Sequence, residues 1–354
     1  MNLNIAVFEG DGIGPEVTAP TLELLSEVVG NHAFLKFESL PAGANHYAKT
    51  GEALPEASVE AARKADAILL SCTGDPAIRY PDGTEITPQI DLRMIFNLYA
   101  GVRPVRIIPD GPTPLANPGP VDFVLIREST EGLFHTMKKG LVTEDYAEET
   151  LRLTRDTSER LCEFAFKLAA RRKTQGKGPG RVTSVDKANV FRAFAWFREI
   201  FDEVGARYPD LTADHAYVDA MSLYMVQRPG DWDVMVTENM FGDILSDLGA
   251  GLMGGLGMAP SADIGDDHAV FQPCHGTAPD IAGKGVANPI AMILSGAMML
   301  DWLAERKDLP KLATAARRLE RAVDRVVRRG APLTRDLGGT AGTMAVASAI
   351  HEAL

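Results

Sequence analysis

The sequence predicts an α/β protein whose mostly parallel strands alternate with helices. Short apolar runs that we interpret as strands lead into polar or glycine-rich turns, as at residues 3–8, 66–71, 121–126 and 232–237. The runs are almost continuously apolar and helical patterns follow the turns, which is typical of strands buried on both faces. In such sheets ligands bind beyond the carboxyl ends of the strands, so we expect the functional residues in these turns.

Length, charge and cysteine content narrow the class of protein. The 354 residues suffice for two modest domains, and three widely spaced cysteines indicate reduced thiols. The first residues lack the basic region of a signal peptide, and no apolar run has the length of a membrane span. We therefore expect a cytoplasmic protein. A net charge of −12 disfavours nucleic acid and anionic membranes as partners.

Two glycine-rich segments could be read as dinucleotide-binding fingerprints. The string Gly10-Asp-Gly-Ile-Gly14 follows the first strand, but its spacing is GxGxG and Pro15 comes next. We interpret it as a tight turn that opens a helix at Pro15. The string at 249–254 fits GxGxxG but follows a helical segment and not a strand. Any nucleotide is therefore expected in a non-Rossmann site.

Three arginines are candidates for binding an anionic ligand. Arg93 lies in the stretch Asp-Leu-Arg-Met-Ile-Phe, and Arg103 and Arg127 lie next to apolar segments. A guanidinium binds a carboxylate through two parallel hydrogen bonds, so three together would form a clamp. Each arginine alone could equally pair with a structural acid.

The stretch Phe241-Gly-Asp-Ile-Leu-Ser-Asp247 is the strongest local signal. Asp243 and Asp247 are four residues apart and share one face of a helix, where they repel each other unless a cation lies between them. A third acid, Asp219, follows another apolar segment. Three carboxylates suit Mg²⁺ or Mn²⁺, although a solvated acidic helix face is the alternative.

Two further positions carry possible chemistry. Lys187 follows a β-branched run and, near a metal ion, would release its proton readily enough to act as a base; otherwise it is simply exposed. Asp280 lies in a loop punctuated by glycine and proline. Its carboxylate could accept hydrogen bonds from a ribose 2′-hydroxyl and repel a 2′-phosphate, which favours NAD over NADP.

With these residues in view, the chain resembles the metal-dependent β-decarboxylating dehydrogenases, the isocitrate/isopropylmalate dehydrogenase family. The resemblance runs nearly end to end. Its motifs are GDGIGPE at 10–16, LRMIFNLYAGVRP at 92–104, RESTEGLF at 127–134, SVDKANV at 184–190, YVDAM at 217–221, ENMFGDILSD at 238–247, HGTAPDIAGKGVANP at 275–289 and DLGGTAGT at 336–343.

The resemblance implies a two-domain isopropylmalate-dehydrogenase-like α/β fold with a non-Rossmann cofactor site. A large cofactor-binding domain would comprise residues 1–101 and 256–354. The inserted small domain, residues 102–255, would hold the metal site and the interface of a homodimer with a shared active site. The implied function is NAD-dependent oxidative decarboxylation of a (2R)-3-substituted malate with Mg²⁺ or Mn²⁺.

The resemblance also implies roles for individual residues. The arginines would clamp a substrate carboxylate, Lys187 from the partner would be the base, and Asn189 would line the site. Asp243 and Asp247 of one subunit would bind the metal with Asp219 of the other. The adenosine pocket and its surroundings would comprise His275, Gly276, Thr277, Ala278, Asp280, Ile281, Asn288 and Asp336.

Departures from the family pattern leave alternatives open. Phe134 stands where members usually carry the tyrosine that protonates the product, and Gln272 stands where a glutamate is common. Thr87 and Gln89 make the substrate-side segment polar, so isocitrate or a tartrate/D-malate-like acid competes with isopropylmalate. Phe134 also motivates an alternative of another class, a non-catalytic regulatory subunit of a hetero-oligomer.

Overall fold

The computed structural model describes residues 2–354. Twelve strands run along this part of the chain, of which ten form one sheet and two form a small separate hairpin. They are β1 (Asn2–Phe8), β2 (Phe34–Ser39), β3 (Ala67–Leu70), β4 (Ala100–Arg106), β5 (Asp122–Glu128), β6 (Leu141–Val142), β7 (Ala147–Glu148), β8 (Arg181–Asp186), β9 (Thr212–Tyr217), β10 (Val234–Thr237), β11 (Pro260–Ile264) and β12 (Ala269–Pro273).

Eleven α-helices alternate with the strands over the same residues. They are α1 (Gly14–Val29), α2 (Ala44–Thr50), α3 (Glu56–Lys64), α4 (Pro88–Ile95), α5 (Arg155–Thr174), α6 (Arg192–Gly205), α7 (Val218–Gln227), α8 (Asn239–Leu252), α9 (Ile290–Arg306), α10 (Pro310–Arg329) and α11 (Thr343–Glu352). The expected helix at Pro15 is confirmed, because α1 carries this proline in its first turn. The glycines at 249 and 251 lie within α8, so that string is no fingerprint.

The large sheet has the strand order β2-β1-β3-β12-β11-β4-β5-β10-β8-β9. Its two sides are parallel, as the sequence predicts, but β11 and β4 run antiparallel to their neighbours. The antiparallel pairs have a physical reason. The links from β4 to β5 and from β11 to β12 contain no helix, and a parallel crossover needs a longer connection than a hairpin does.

This antiparallel middle gathers polar side chains on one face. Asp263 of β11 lies opposite Gly101 of β4, which lies opposite Arg127 of β5. Because side chains alternate along a strand, Arg103 shares the face of Gly101. A Cβ on Gly101 would lie 2.5 Å from the Ser129 Oγ and 3.2 Å from the Asp263 Oδ1, so the glycine leaves room for this cluster.

The buried core extends along the whole sheet. Helices α1, α9, α10 and α11 pack together beside one parallel side, and α5 and α6 pack beside the other. Strand β4 crosses the expected boundary between residues 101 and 102, and the division into two domains stays a prediction. Within residues 2–354 no helix combines the length and the apolar character that a membrane crossing requires.

Candidate active site

A cleft of about 200 Å³ opens over the antiparallel middle of the sheet. Its walls carry three arginines and two aspartates, which come from strands β4 and β5 and from helices α4 and α8. The charged and polar side chains that line it are Arg93, Arg103, Arg127, Asp243, Asp247, Gln89, Gln272, Ser71, Thr73, Ser246, Ser261 and His275.

Asp263 lies beneath the cleft and holds two of the arginines. Its side chain is fully buried; Oδ1 accepts a hydrogen bond of 3.0 Å from Arg103 Nη2, and Oδ2 accepts one of 2.9 Å from Arg93 Nε. Burial opposes its ionisation, but the charges of Arg103 and Arg93 outweigh burial and hold the pKa of Asp263 at about 2. The carboxylate is therefore ionised at neutral pH and fixes both guanidinium groups.

Arg127 is held by a different element, the first turn of α8. Its Nε and Nη2 donate to the Asn239 Oδ1 over 3.1 and 2.7 Å, and its Nη1 pairs with Asp243. Burial and the neighbouring charge of Arg93 lower the pKa of Arg127 to about 10. It remains a cation near neutral pH, beside two others that it repels.

Arg93 has the most capacity left for a ligand. Apart from its Nε bond to Asp263, its side chain donates to no other group in the part of the chain that the structure describes. Its two terminal nitrogens are thus available to a carboxylate in the cleft. A guanidinium held through one nitrogen and open at two is a preorganised anion site.

Helix α8 brings two carboxylates to the opposite wall of the cleft. The helix begins after Glu238, whose side chain accepts the Phe241 backbone N–H at 2.8 Å and caps the first turn. Burial and the charge of Asp243 raise the pKa of Asp247, although Arg127 and Arg103 act in the opposite direction. These oxygen donors fit two positions around a hard divalent ion.

A second group of loops lies beside the cleft. The turn after β1 is tied to the loop after β12 by a 2.9 Å bond from the Ile13 N–H to the Thr277 carbonyl. Gly12 has φ +57, and a Cβ there would lie 2.0 Å from the Thr277 oxygen, so only glycine permits this close approach. Further along, the Asn288 Nδ2 donates to Asp336 over 2.9 Å.

His275 closes this edge of the cleft. Burial lowers its pKa, so the imidazole is neutral. Its Nδ1 contacts the Gly276 carbonyl at 3.0 Å, while its buried Nε2 has no hydrogen-bond partner among residues 2–354. An orphaned polar atom that is aimed at a loop pocket fits a bound polar group such as a nucleotide.

Comparisons with known proteins agree with this geometry. The family model described as isocitrate/isopropylmalate dehydrogenase matches residues 4–354. The chain belongs to this family. It is 42% identical to the 3-isopropylmalate/3-methylmalate dehydrogenase of Methanocaldococcus jannaschii, over 98% of this chain and 97% of that one. It is 40% identical to the isocitrate/homoisocitrate dehydrogenase of Thermus thermophilus, over 100% and 99%.

Solved structures lead to the same family. The isocitrate dehydrogenase of Methylococcus capsulatus superimposes with a TM-score of 0.84 at 38% identity, over 99% of both chains. The expected α/β fold is thereby confirmed. Membership also confirms the expected decarboxylating oxidoreductase that acts on a hydroxy carboxylate with NAD and Mg²⁺ or Mn²⁺.

The structure of this family member brings some predicted residues together and leaves others apart. The three arginines, Gln89, Asp243, Asp247, His275 and Gly276 line one cleft. Thr87, Phe134 and Asn189 lie outside its lining, with Asn189 exposed and the other two half-buried. Of the cofactor-side residues, Thr277 and Asn288 are buried, Ala278 and Ile281 are half-buried, and Asp280 and Asp336 are exposed.

Lys187 and Asp219 form a separate pair outside the cleft. The Lys187 Nζ donates to the Asp219 Oδ1 over 2.6 Å, and this hydrogen bond lowers the pKa of Asp219. Within residues 2–354 no three Asp, Glu, His or Cys side chains converge as a metal site. One chain of this dehydrogenase therefore presents Asp243 and Asp247 together and Asp219 elsewhere.

Sequence reasoning missed two residues that organise the site, Asp263 and Asn239. Asp263 lies in Pro260-Ser-Ala-Asp-Ile264, which is otherwise poor in charge. An acid inside a buried strand must pair with a cation, and that signal was present in the sequence. Asn239 gives no such signal, because an asparagine at a helix start is usually a cap.

Proposed function

We propose that the protein catalyses NAD-dependent oxidative decarboxylation of a (2R)-3-substituted malate, in the manner of an isopropylmalate dehydrogenase. The observation that carries this proposal is the cleft itself, in which three buried arginines face two carboxylates of α8. A malate has two carboxylates and a hydroxyl between them. Cations on one wall and a site for a divalent metal on the other match those groups.

The side chains of the cleft bind and orient the acid. Arg93 offers two terminal nitrogens to a substrate carboxylate, and Arg103 and Arg127 are held beside it by Asp263 and Asn239. Lys187, supplied by a second copy of the chain, accepts the proton of the C2 hydroxyl as hydride leaves C2. Loss of the carboxylate at C3 then yields CO₂, and a proton donor that replaces the usual tyrosine protonates C3.

The cofactors fit the residues that are present. Asp243 and Asp247 would hold a divalent cation, which would supply Lewis acidity for the hydroxyl and for the negative charge that develops during the reaction. NAD supplies the hydride acceptor, in the pocket formed by His275, Asp280, Ile281, Asn288 and their neighbours. The exposed carboxylate of Asp280 is free to accept hydrogen bonds from a ribose.

A homodimer with a shared active site completes the proposal. Large apolar side chains are exposed on segments of the predicted small domain, namely on the β6–β7 hairpin, after Lys187, and on α7 and α8. They are Leu141, Val142, Tyr146, Val190, Phe191, Leu223, Val226, Met240 and Ile244. Burying such a surface against a second copy is favourable, and it would bring a second Lys187 and Asp219 to a cleft that lacks them.

A polar substrate wall supports a second candidate, a tartrate-like acid that carries a hydroxyl on C3. Gln89 lines the cleft, and its Oε1 accepts a hydrogen bond of 2.5 Å from the Thr73 Oγ1. Its amide nitrogen therefore remains to donate to an oxygen on C3 of the substrate. An isopropyl group offers no acceptor there, whereas a hydroxyl does.

The test is NADH formation by the purified protein with NAD⁺, Mn²⁺ and a panel of acids: 3-isopropylmalate, 3-methylmalate, isocitrate, homoisocitrate, D-malate and tartrate. We expect turnover of at least one malate, with release of CO₂. Chelation of the metal should abolish it and added Mn²⁺ should restore it. Absence of NADH with every acid would refute the proposal.

A substitution of Arg93 tests whether this side chain binds the substrate. Arg93→Met keeps the length and apolar stem of the side chain but removes the two free donors, together with the Nε bond to Asp263. Its KM for the preferred acid should rise on the order of tenfold or more, since a charge-assisted bidentate contact is lost. An unchanged KM would remove Arg93 from the clamp.

A further inference from the structure

The Asp263 carboxylate beneath the arginines is saturated with donors. In addition to Arg93 and Arg103, the Gln272 Nε2 donates to Oδ2 over 2.8 Å and the Ser129 Oγ approaches Oδ1 at 3.4 Å. Both oxygens thus have two partners, and the side chain has no exposed surface. It cannot contact a ligand directly, so any effect on substrate must act through the arginines or through its charge.

The contact with Asp263 explains why residue 272 is a glutamine in this chain, where the family commonly has a glutamate. A glutamate at this position would place a second carboxylate against Asp263 at hydrogen-bond distance. A second negative charge this close would repel that of Asp263 and compete for the same two arginines, so the arginines would be held less firmly. The amide nitrogen is instead the fourth donor to Asp263, so residues 263 and 272 share one negative charge between them.

The buried charge of Asp263 affects the net charge of the groups around the cleft. The three clamp arginines are offset by Asp243, Asp247 and Asp263, and the Lys187–Asp219 pair proposed to come from a second copy adds one charge of each sign, so the formal charges around the cleft sum to zero. With a divalent cation on α8, the cleft carries two positive charges, which the two carboxylates of a malate match. A third carboxylate on the substrate would remain uncompensated in a partly buried site.

We propose that Asp263, paired with Gln272, is a specificity-determining positioning residue that makes the cleft prefer a malate with an uncharged 3-substituent over a tricarboxylate. This inference rests on the proposed function, because it assumes that the cleft binds a hydroxy acid beside a metal. It narrows the substrate class of the same site: isopropyl, methyl, hydroxyl and hydrogen substituents are accepted, and a carboxymethyl group is disfavoured.

The experiment measures binding, with turnover as a separate readout. Isothermal titration in the presence of Mn²⁺ and absence of NAD⁺ gives dissociation constants for 3-isopropylmalate, for D-malate and for isocitrate. The quantity of interest is the affinity for isocitrate relative to the better dicarboxylate. A general loosening of the site would weaken all three acids and leave this ratio unchanged, whereas a change in charge must alter it.

Three variants move the charge in known directions. Asp263→Asn removes it at constant shape and should raise the ratio on the order of tenfold or more. Gln272→Glu adds a carboxylate and should lower the ratio. The double variant Asp263→Asn with Gln272→Glu moves the charge across the 2.8 Å contact and should return the ratio close to that of the unaltered protein.

A matched control is available in the same sheet region. Asp233 is also buried and its Oδ1 accepts a bond of 2.7 Å from Arg172 Nε, but this pair lies outside the cleft. Asp233→Asn should leave the ratio unchanged. If Asp263→Asn does not fold, the opposite shift in Gln272→Glu and the restored ratio in the double variant still test the inference.

The outcomes distinguish the inference from the proposed function. Turnover of a malate together with a ratio that stays constant across the three variants overturns the role of Asp263 alone. Preference of the unaltered protein for isocitrate overturns it as well. Absence of turnover with any acid overturns the proposed function, while the shift of the binding ratio is still judged by titration.

Discussion

Two groups of proposed active-site residues, the three arginines and the Lys187–Asp219 pair, are held very differently within one chain. On the arginine side, Arg93, Arg103 and Arg127 are buried and each is held by at least one fixed hydrogen bond. On the other side, Lys187 and Asp219 pair with each other outside the cleft, where the Asp219 side chain is 67% exposed and the Lys187 side chain is 24% exposed. One chain thus assembles the arginines in the cleft but leaves Lys187 and Asp219 outside it.

This difference teaches where each part of the function is encoded. Substrate recognition is built into the antiparallel middle of the sheet, so the buried charges must be balanced for the chain to fold at all. The proposed base Lys187 and the proposed third metal ligand Asp219 are expected to contribute less to the fold, because their ion pair is partly exposed to water. They can be positioned by association with a second copy, and substitutions on the two sides should have opposite signatures.

The largest expected effect is the loss of kcat when Lys187 is replaced. Lys187→Met removes the proposed base and should lower kcat by about 10²- to 10⁴-fold, the usual range for a general base. The unfolding transition in urea should shift little, because the Asp219 partner is 67% exposed and such a pair contributes little to stability. Steady-state kinetics and equilibrium unfolding measure the two effects; a large loss of stability would contradict the contrast between the sides.

Complementation sharpens the same point. Inactive Lys187→Met and inactive Asp247→Asn can be unfolded, mixed in equal amounts and refolded together. If the site is shared, half of the dimers are mixed and each has one intact site, which restores about a quarter of the activity. Each variant refolded alone is the control, and a mixture that remains inactive would place all catalytic groups in one chain.

Among the buried arginines and Asp263, a substitution should mainly lower the free energy of unfolding. Asp263→Ala leaves Arg93 and Arg103 without their shared partner and should lower the free energy of unfolding by about 3–5 kcal/mol, as is typical when a buried pair is broken. Asp219→Ala, on the exposed side, should leave the unfolding curve unchanged. Urea denaturation of both variants makes the comparison. Equal curves for Asp263→Ala and the unaltered protein would show that the arginines do not need this acid.

The pH dependence of stability should reveal the same carboxylate. The pKa of Asp263 is about 2 in the folded protein against 3.8 for an ordinary aspartate. A depressed pKa stabilises the fold above the ordinary value, and this contribution, about 2 kcal/mol, disappears as pH falls from about 4 through 2. The difference in unfolding free energy between the unaltered protein and Asp263→Asn should therefore shrink over that window. A constant difference would contradict the assigned pKa.

A smaller effect is expected at the cofactor edge. Asp280→Lys combined with Ile281→Tyr replaces an acid by a cation that can pair with a 2′-phosphate. The ratio of kcat/KM for NAD to that for NADP should fall on the order of tenfold or more. Initial rates with both cofactors measure it, with Ile281→Tyr alone as the control. An unchanged preference would remove Asp280 from the ribose site.

The smallest effect is expected at Phe134, which lies in a short 3₁₀ helix outside the cleft. Phe134→Tyr restores the phenol that family members usually carry. If protonation of C3 limits the reaction, the rate of CO₂ release should rise a few-fold, well below the 10²-fold scale of a primary acid or base. No change in that rate would mean that another group already donates the proton.

Much of the site could be predicted from the sequence, because its signals are local. Asp243 and Asp247 share a helix face through a spacing of four, and Arg127 follows directly on a buried strand. The Asp263 network was not predicted. It joins residues that are 170 and 160 positions apart, and their contact depends on antiparallel pairing of β11, β4 and β5.

The sequence by itself determined the α/β alternation, the turn at Pro15 and the types of side chain available for chemistry, since these depend on neighbours along the chain. Only the tertiary structure decided which of those side chains meet. Strand register aligns Asp263, Gly101 and Arg127 in one row, and burial in that row requires each charge to find a partner. The same requirement is weaker for Lys187 and Asp219, because water reaches the Asp219 carboxylate, and in the proposed dimer a second chain would determine their final place.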